Sequence, residues 1–246
     1  MQISVTNKKL KKHNKSAIKS TISTILIFLF LIISTAILVS VKKKGLAYEE
    51  RIFYFVCVDS SKKSSELETK KELVKNLGGA NTLYKINDEY NLIANVYLDL
   101  PSANEVRDNS MSYFPETKII KVKSKALKKS QIKKIKSAVG AESFIKFLYS
   151  ASNEFSKIQL DYLAGNMNDS EFLKKLVAFR LKLQEKLKLV SGEDEISQKI
   201  LCSGELMEFQ VTNFLSGFDI AKSKQNYVCN YFVGFYIGYV ELFGSL

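Results

Sequence analysis

The chain has 246 residues, 37 basic against 25 acidic, a net charge of +12, one histidine and three cysteines. The lone His13 and the absence of any CxxC pair exclude a zinc ribbon, a disulfide framework and a His-dependent triad in the bulk of the chain. Nine lysines fall within residues 1–50 and nine more between Lys118 and Lys136; the remainder is slightly acidic, so nucleic acid is not an expected partner.

The first element is the run Thr21 to Val41. It carries no charge and is dominated by Leu, Ile, Phe and Val. At 1.5 Å per helical residue it spans about 30 Å, the thickness of a bilayer's hydrocarbon core. The expectation is a cytoplasmic basic segment over residues 1–20, a transmembrane helix over 21–41 and a linker over 42–50. Six lysines precede the helix and Lys42, Lys43 and Lys44 follow it, which favours a cytoplasmic N-terminus, a single pass through the cell membrane and extracytoplasmic C-terminal domains. A cleaved signal peptide is the competing reading, with Gly45-Leu46-Ala47 as the cleavage site, but its apolar core is ordinarily shorter and is not followed by three lysines.

Beyond the linker, Arg51 to Val58 is aromatic and β-branched, ends at Asp59-Ser60-Ser61, and predicts a strand. Residues 64–77 predict a helix with Leu67, Leu73, Val74 and Leu77 inward, capped by Gly78-Gly79. Residues 82–86 and 90–98 flank Asn87-Asp88 and predict a hairpin. Pro101 opens a short helix to about Met111, with Ser102 and Glu105 in capping-box spacing and Ala103 and Val106 inward; residues 117–123 predict a last strand. The order βαββαβ is that of a split βαβ sheet with two helices on one face.

The stretch Phe53-Tyr-Phe-Val-Cys-Val-Asp-Ser60, the helix ending Leu-Gly-Gly79, and Tyr90-Asn-Leu-Ile-Ala-Asn-Val-Tyr97 followed by Ser102-Ala103 resemble a SPOR (sporulation-related repeat) domain over residues 51–124. The resemblance implies a bacterial envelope protein of cell division or sporulation that binds peptidoglycan glycan strands across the open face of its sheet. Tyr54, Tyr84, Tyr90, Asn91, Asn95 and Tyr97 are the glycan-binding candidates, since rings stack on sugars and amides bond hydroxyls. The family's first-strand Gln and Gly fall at Cys57 and Asp59, and its later Gly-Pro at Asn95-Val96. These departures leave a second reading open: a membrane-tethered scaffold with a degenerate SPOR fold, whose helical part binds an envelope protein.

The lysine run supplies polyanion-binding candidates Lys121, Lys123, Lys125, Lys128 and Lys129; a solvated strand edge is the alternative. Residues 125–246 predict an all-α helical domain: a helix from about Ser130 to Leu163 with Val139 and Ile145 on its apolar stripe, a second from Asn168 to Val190, and a third that starts at the acidic run Glu193-Asp194-Glu195 and ends at about Ala221. The aromatic tail Tyr227 to Leu246 reads as a helix buried on several faces, with a second membrane span or a swapped strand as alternatives. The expected fold class is thus α+β, a SPOR-like βαββαβ antiparallel sheet domain followed by a helical bundle, with an N-terminal transmembrane helix. No catalytic, metal or cofactor motif is present, and a non-enzymatic protein is expected.

Overall fold

The computed structural model describes residues 46–135, 139–221 and 223–246. The expected transmembrane helix 21–41 and basic segment 1–20 lie outside the described residues, and among those described no helix is long and apolar enough to cross a membrane.

A short strand β1 (Leu46–Tyr48) precedes β2 (Ile52–Ser61). A 3-10 turn over Ser64–Leu67 leads into α1 (Glu68–Asn76), then come the hairpin strands β3 (Thr82–Ile86) and β4 (Glu89–Tyr97), helix α2 (Leu100–Ser110) and strand β5 (Lys118–Lys123). The four long strands form an antiparallel sheet in the order β3-β4-β2-β5. The hairpin turns at Asn87 and Asp88, both with positive φ, the primed turn whose twist matches the flanking strands.

β2 continues through Asp59-Ser60-Ser61, which the sequence reads as a turn. Register shifts at Val56/Cys57 and Cys57/Asp59 in the pairing with β4 absorb extra residues and keep the ladder going. The helix over 64–77 is also corrected: the 3-10 turn resets its phase, so Leu67 and Val74 are buried whereas Leu73 and Leu77 face outward. Asp99, not Ser102, caps α2, its carboxylate accepting from the Ser102 N–H at 2.8 Å.

Strand β6 (Leu127–Lys128) pairs with β1 as a second, two-stranded sheet and leads into α3 (Lys129–Ile135). Four longer helices follow: α4 (Ala141–Leu163), α5 (Asp169–Leu187), α6 (Glu195–Gly217) and α7 (Lys224–Ser245). Asn168, Asp194 and Ser223 each accept a backbone N–H at the start of the helix they precede.

The single helix expected from Ser130 to Leu163 is two, and Val139 is 65 % exposed rather than on the apolar stripe. Gly140 makes the break. Its φ is +80°, and a Cβ there would lie 2.0 Å from the Leu189 carbonyl oxygen, because Val139 and Ser191 pair their backbones at this point. Gly140→Ala is therefore expected to cost about 3–5 kcal/mol, combining left-handed strain with a backbone clash, and a chemical denaturation midpoint would register the loss.

One cluster of buried residues runs from Phe53 and Phe55 of the sheet through Phe144 and Phe155 of α4 to Phe232 and Phe243 of α7. The expected domain boundary at 124/125 falls between β5 and β6, and no break in this core marks it; Ala47–Leu246 is one unit.

Candidate functional site

The strand period places Phe53, Phe55 and Cys57 on one side of β2 and Tyr54, Val56 and Val58 on the other. The second set meets the short helices: Val58 packs with Leu67 and Val74, and Val56 with Ala103 of α2. The first set faces α7. Phe53 lies with its ring centroid 5.5 Å from that of Tyr236 and 5.4 Å from that of Tyr239, and Phe53, Phe55, Cys57, Ile93 and Val96 are each 0 % exposed. Both faces of the sheet are thus internal along its central strands, β2 and β4.

The open edge of the sheet is covered as well. β3 pairs with β4 only as far as Thr82↔Ile93, leaving Ala94 to Tyr97 of β4 without a strand on that side. The Ala80 N–H donates to the Ala94 carbonyl at 2.7 Å, and the Gln159 amide of α4 donates to the Val96 carbonyl at 3.0 Å and to Asn95 Oδ1 at 2.8 Å. Asn226 of α7 donates to the Gly79 carbonyl, while Asn230 Oδ1 accepts from the Asn81 N–H at 3.1 Å and the Thr82 hydroxyl at 3.0 Å. Buried backbone groups need such partners, and here side chains of two helices do the work of a missing strand.

Three of the six glycan-binding candidates are inside. Asn91 is buried and donates to the Glu89 carbonyl at 2.9 Å, bracing the hairpin; Asn95 is buried and donates to the buried Tyr97 hydroxyl at 2.7 Å. Burial pushes the Tyr97 phenol well above its usual range. Half-buried Tyr84 stacks on Phe55 at 5.8 Å, whereas half-buried Tyr54 and Tyr90 pack toward the α1 and α2 side. The set does not converge on one open surface. Lys121, Lys123, Lys125, Lys128 and Lys129 are all exposed, and Lys123 pairs with Glu50 at 2.7 Å.

Concavity takes in two of the six glycan-binding candidates, Asn95 and Tyr97. A cavity of about 410 Å³ opens where the ends of α1 and α2 meet the start of α7. Val74, Ala94, Phe114 and Leu163 form apolar walls, Asn95 and Gln225 are polar points, and Leu77 and Tyr113, 43 % and 62 % exposed, stand on its rim. Nearby, the Asp169 carboxylate accepts from Lys224 and from the Tyr162 hydroxyl, which holds its pKa below the carboxylate norm. Burial and the same carboxylate raise the Tyr162 phenol to about 12. This triad ties the end of α4 to the starts of α5 and α7.

None of the groups with shifted titration is poised for chemistry at neutral pH. Burial raises Cys57 to about 11 and Cys229 to about 12, so both remain thiols, and all three cysteines are free. Asp194 and Glu195 lie below the usual range through hydrogen bonds to Ser197 and Lys199, the ordinary consequence of capping and an i,i+4 pair. Among the described residues no cluster of three or more His, Cys, Asp or Glu is placed to hold a metal ion.

Sequence reasoning passed over Arg51, Gln159, Asn226 and Asn230. Arg51 donates to the Tyr149 carbonyl at 2.6 Å and to Asn153, with its guanidinium carbon 4.0 Å from the Tyr149 ring centroid. The available signal was a polar residue interrupting an apolar stripe: Gln159 lies four residues beyond Phe155, and Asn230 sits inside the aromatic tail. Each is a tie between a helix and the sheet.

Fold and site together define an α+β protein in which a small antiparallel sheet is enclosed by helices. Compared with protein-family models, curated proteins and solved structures, the chain matches none.

Proposed function

We propose that this chain is a membrane-tethered, non-catalytic interaction scaffold of the bacterial envelope, with a SPOR-like βαββαβ sheet whose ligand face has become core. The observation that carries this reading is the burial of that face on its central strands: Phe53, Phe55, Cys57, Ile93 and Val96 lie beneath α7, where a sugar would have to displace the helix. The departures from the SPOR pattern support it. Cys57 and Val96 stand where burial asks for small apolar groups, and Asn95 spends its hydrogen bonds on Gln159, Tyr97 and its own Val96 N–H. Recognition then passes to the outer surface, where the cavity between α1, α2 and α7 offers apolar walls to side chains of a protein partner.

The test is a sedimentation assay of the full chain, in detergent, with purified peptidoglycan before and after amidase treatment. The expected result is no retention on either; retention on amidase-treated sacculi that free glycan strands compete away overturns the scaffold reading.

The second reading is a peptidoglycan-binding protein localised to sites of wall remodelling in division or sporulation. The strand order β3-β4-β2-β5, with α1 and α2 on one side, favours it as the arrangement the resemblance implies. It requires α7 to leave the sheet, and the sedimentation assay separates the two.

A further inference from the structure

The lysine-rich stretch is far in sequence from the apolar run 21–41 but close to where the chain emerges from it. β1 begins at Leu46 and pairs with β6, so neighbouring backbones there are about 4.8 Å apart. Four residues lie between Val41 and Leu46, so five Cα–Cα steps span at most about 18 Å even when fully extended. The pairing therefore brings Leu127 and Lys128, with Lys125 and Lys129 on either side, to within a short tether of the last apolar residue. Lys133 follows one helical turn after Lys129 on α3.

Lys125, Lys128, Lys129 and Lys133 are exposed, and none has an ion-pair partner among the described residues. Glu50 pairs with Lys123, Glu49 borders β1, and Glu142 acts on Tyr48 of that strand, so the acids near β1 lie toward Lys123 and Tyr48. No acidic residue occurs between Lys118 and Lys136. Solubility alone would not need this placement: elsewhere the surface mixes signs, as on α1, where Lys71 pairs with Glu68 and Lys75 with Glu72.

We propose that Lys125, Lys128, Lys129 and Lys133 form a docking face for the anionic phospholipid headgroups of the membrane that holds the tether. The inference rests on reading residues 21–41 as a membrane anchor. Given that anchor, the lysines meet headgroups at the high effective concentration of a short linker, so weak individual attractions suffice. The face orients the folded unit with β1, β6 and α3 toward the bilayer. Lysine suits this use, being a hydrated point charge that needs no bidentate geometry.

The test uses the full chain in vesicles of phosphatidylcholine alone or with about 30 % phosphatidylglycerol, with amine labelling of each lysine followed by mass spectrometry. Flotation with the neutral vesicles reports the anchor; labelling reports the lysine face. In the anionic vesicles Lys125, Lys128, Lys129 and Lys133 are expected to label about fivefold more slowly, the size of one lysine–headgroup attraction, and to recover in high salt. Lys174 and Lys182, exposed on α5, are expected to label alike in both. A chain that floats with both vesicles but labels equally overturns the lysine face and leaves the anchor standing, and slowing spread equally over Lys174 and Lys182 overturns it too. A chain that fails to float with neutral vesicles overturns the anchor and the tethered contact with it.

Discussion

A chain truncated before Lys224 is expected to lose the sheet along with the bundle. α7 buries twelve residues, six of them aromatic, against both the sheet and its neighbouring helices. At about 1.5–3 kcal/mol for each large apolar side chain, their removal exceeds the 5–15 kcal/mol by which a domain is ordinarily stable. Truncation would also strip Asn226 and Asn230 from Gly79, Asn81 and Thr82, and uncover Phe53. Circular dichroism of the truncated chain should show no cooperative melting, and limited proteolysis should leave no stable fragment over residues 51–124. A sheet that melts cooperatively by itself would make α7 a removable cover and revive the glycan-binding reading.

Alkaline pH is expected to unfold the protein steeply. Burial raises the pKa values of Tyr97, Tyr231, Tyr236 and Tyr239 well above 10, Arg51 partly offsetting the effect at the last two. Burial likewise raises the thiols of Cys57 and Cys229 from 9.0 to about 11 and about 12. For a group raised in the folded state, the unfolded chain releases its proton first as pH climbs. The stabilisation is therefore complete below the unfolded pKa and is lost as pH rises toward the folded one. Each such group costs about 1.4 kcal/mol per pH unit, so the two thiols remove about 3 kcal/mol between pH 9 and 10. Above pH 10 the four tyrosines add about 5–6 kcal/mol per unit, enough to exhaust ordinary stability near pH 11. Near-ultraviolet absorbance of tyrosinate and loss of helical circular dichroism should rise in one transition. Tyrosinate appearing in a retained fold would show that these phenols reach water.

Local signals carried much of the architecture. The primed turn at Asn87-Asp88, the Gly78-Gly79 stop and the Asn168 cap are backbone requirements that particular residues announce by themselves, and the structure uses all three. Helix phase was less legible where a 3-10 turn or a glycine interrupted it, which is why Leu73, Leu77 and Val139 are outward. The candidate site was legible only as a list. Alternation separated Phe53, Phe55 and Cys57 from Tyr54, Val56 and Val58, but it could not say what would lie against either set.

By itself, then, the sequence determined the βαββαβ order over residues 51–124, the turn at Asn87-Asp88, the stop at Gly78-Gly79, the Asn168 cap, and the burial of the aromatic tail on several faces. These follow from interactions within a few residues along the chain. Only the tertiary structure decided that the tail covers the sheet, that Gln159 and Asn230 complete its open edge, and that β6 carries the lysines to β1. Those contacts join residues some 60 to 180 positions apart, and side-chain chemistry alone leaves many partners equally acceptable until the whole core is packed.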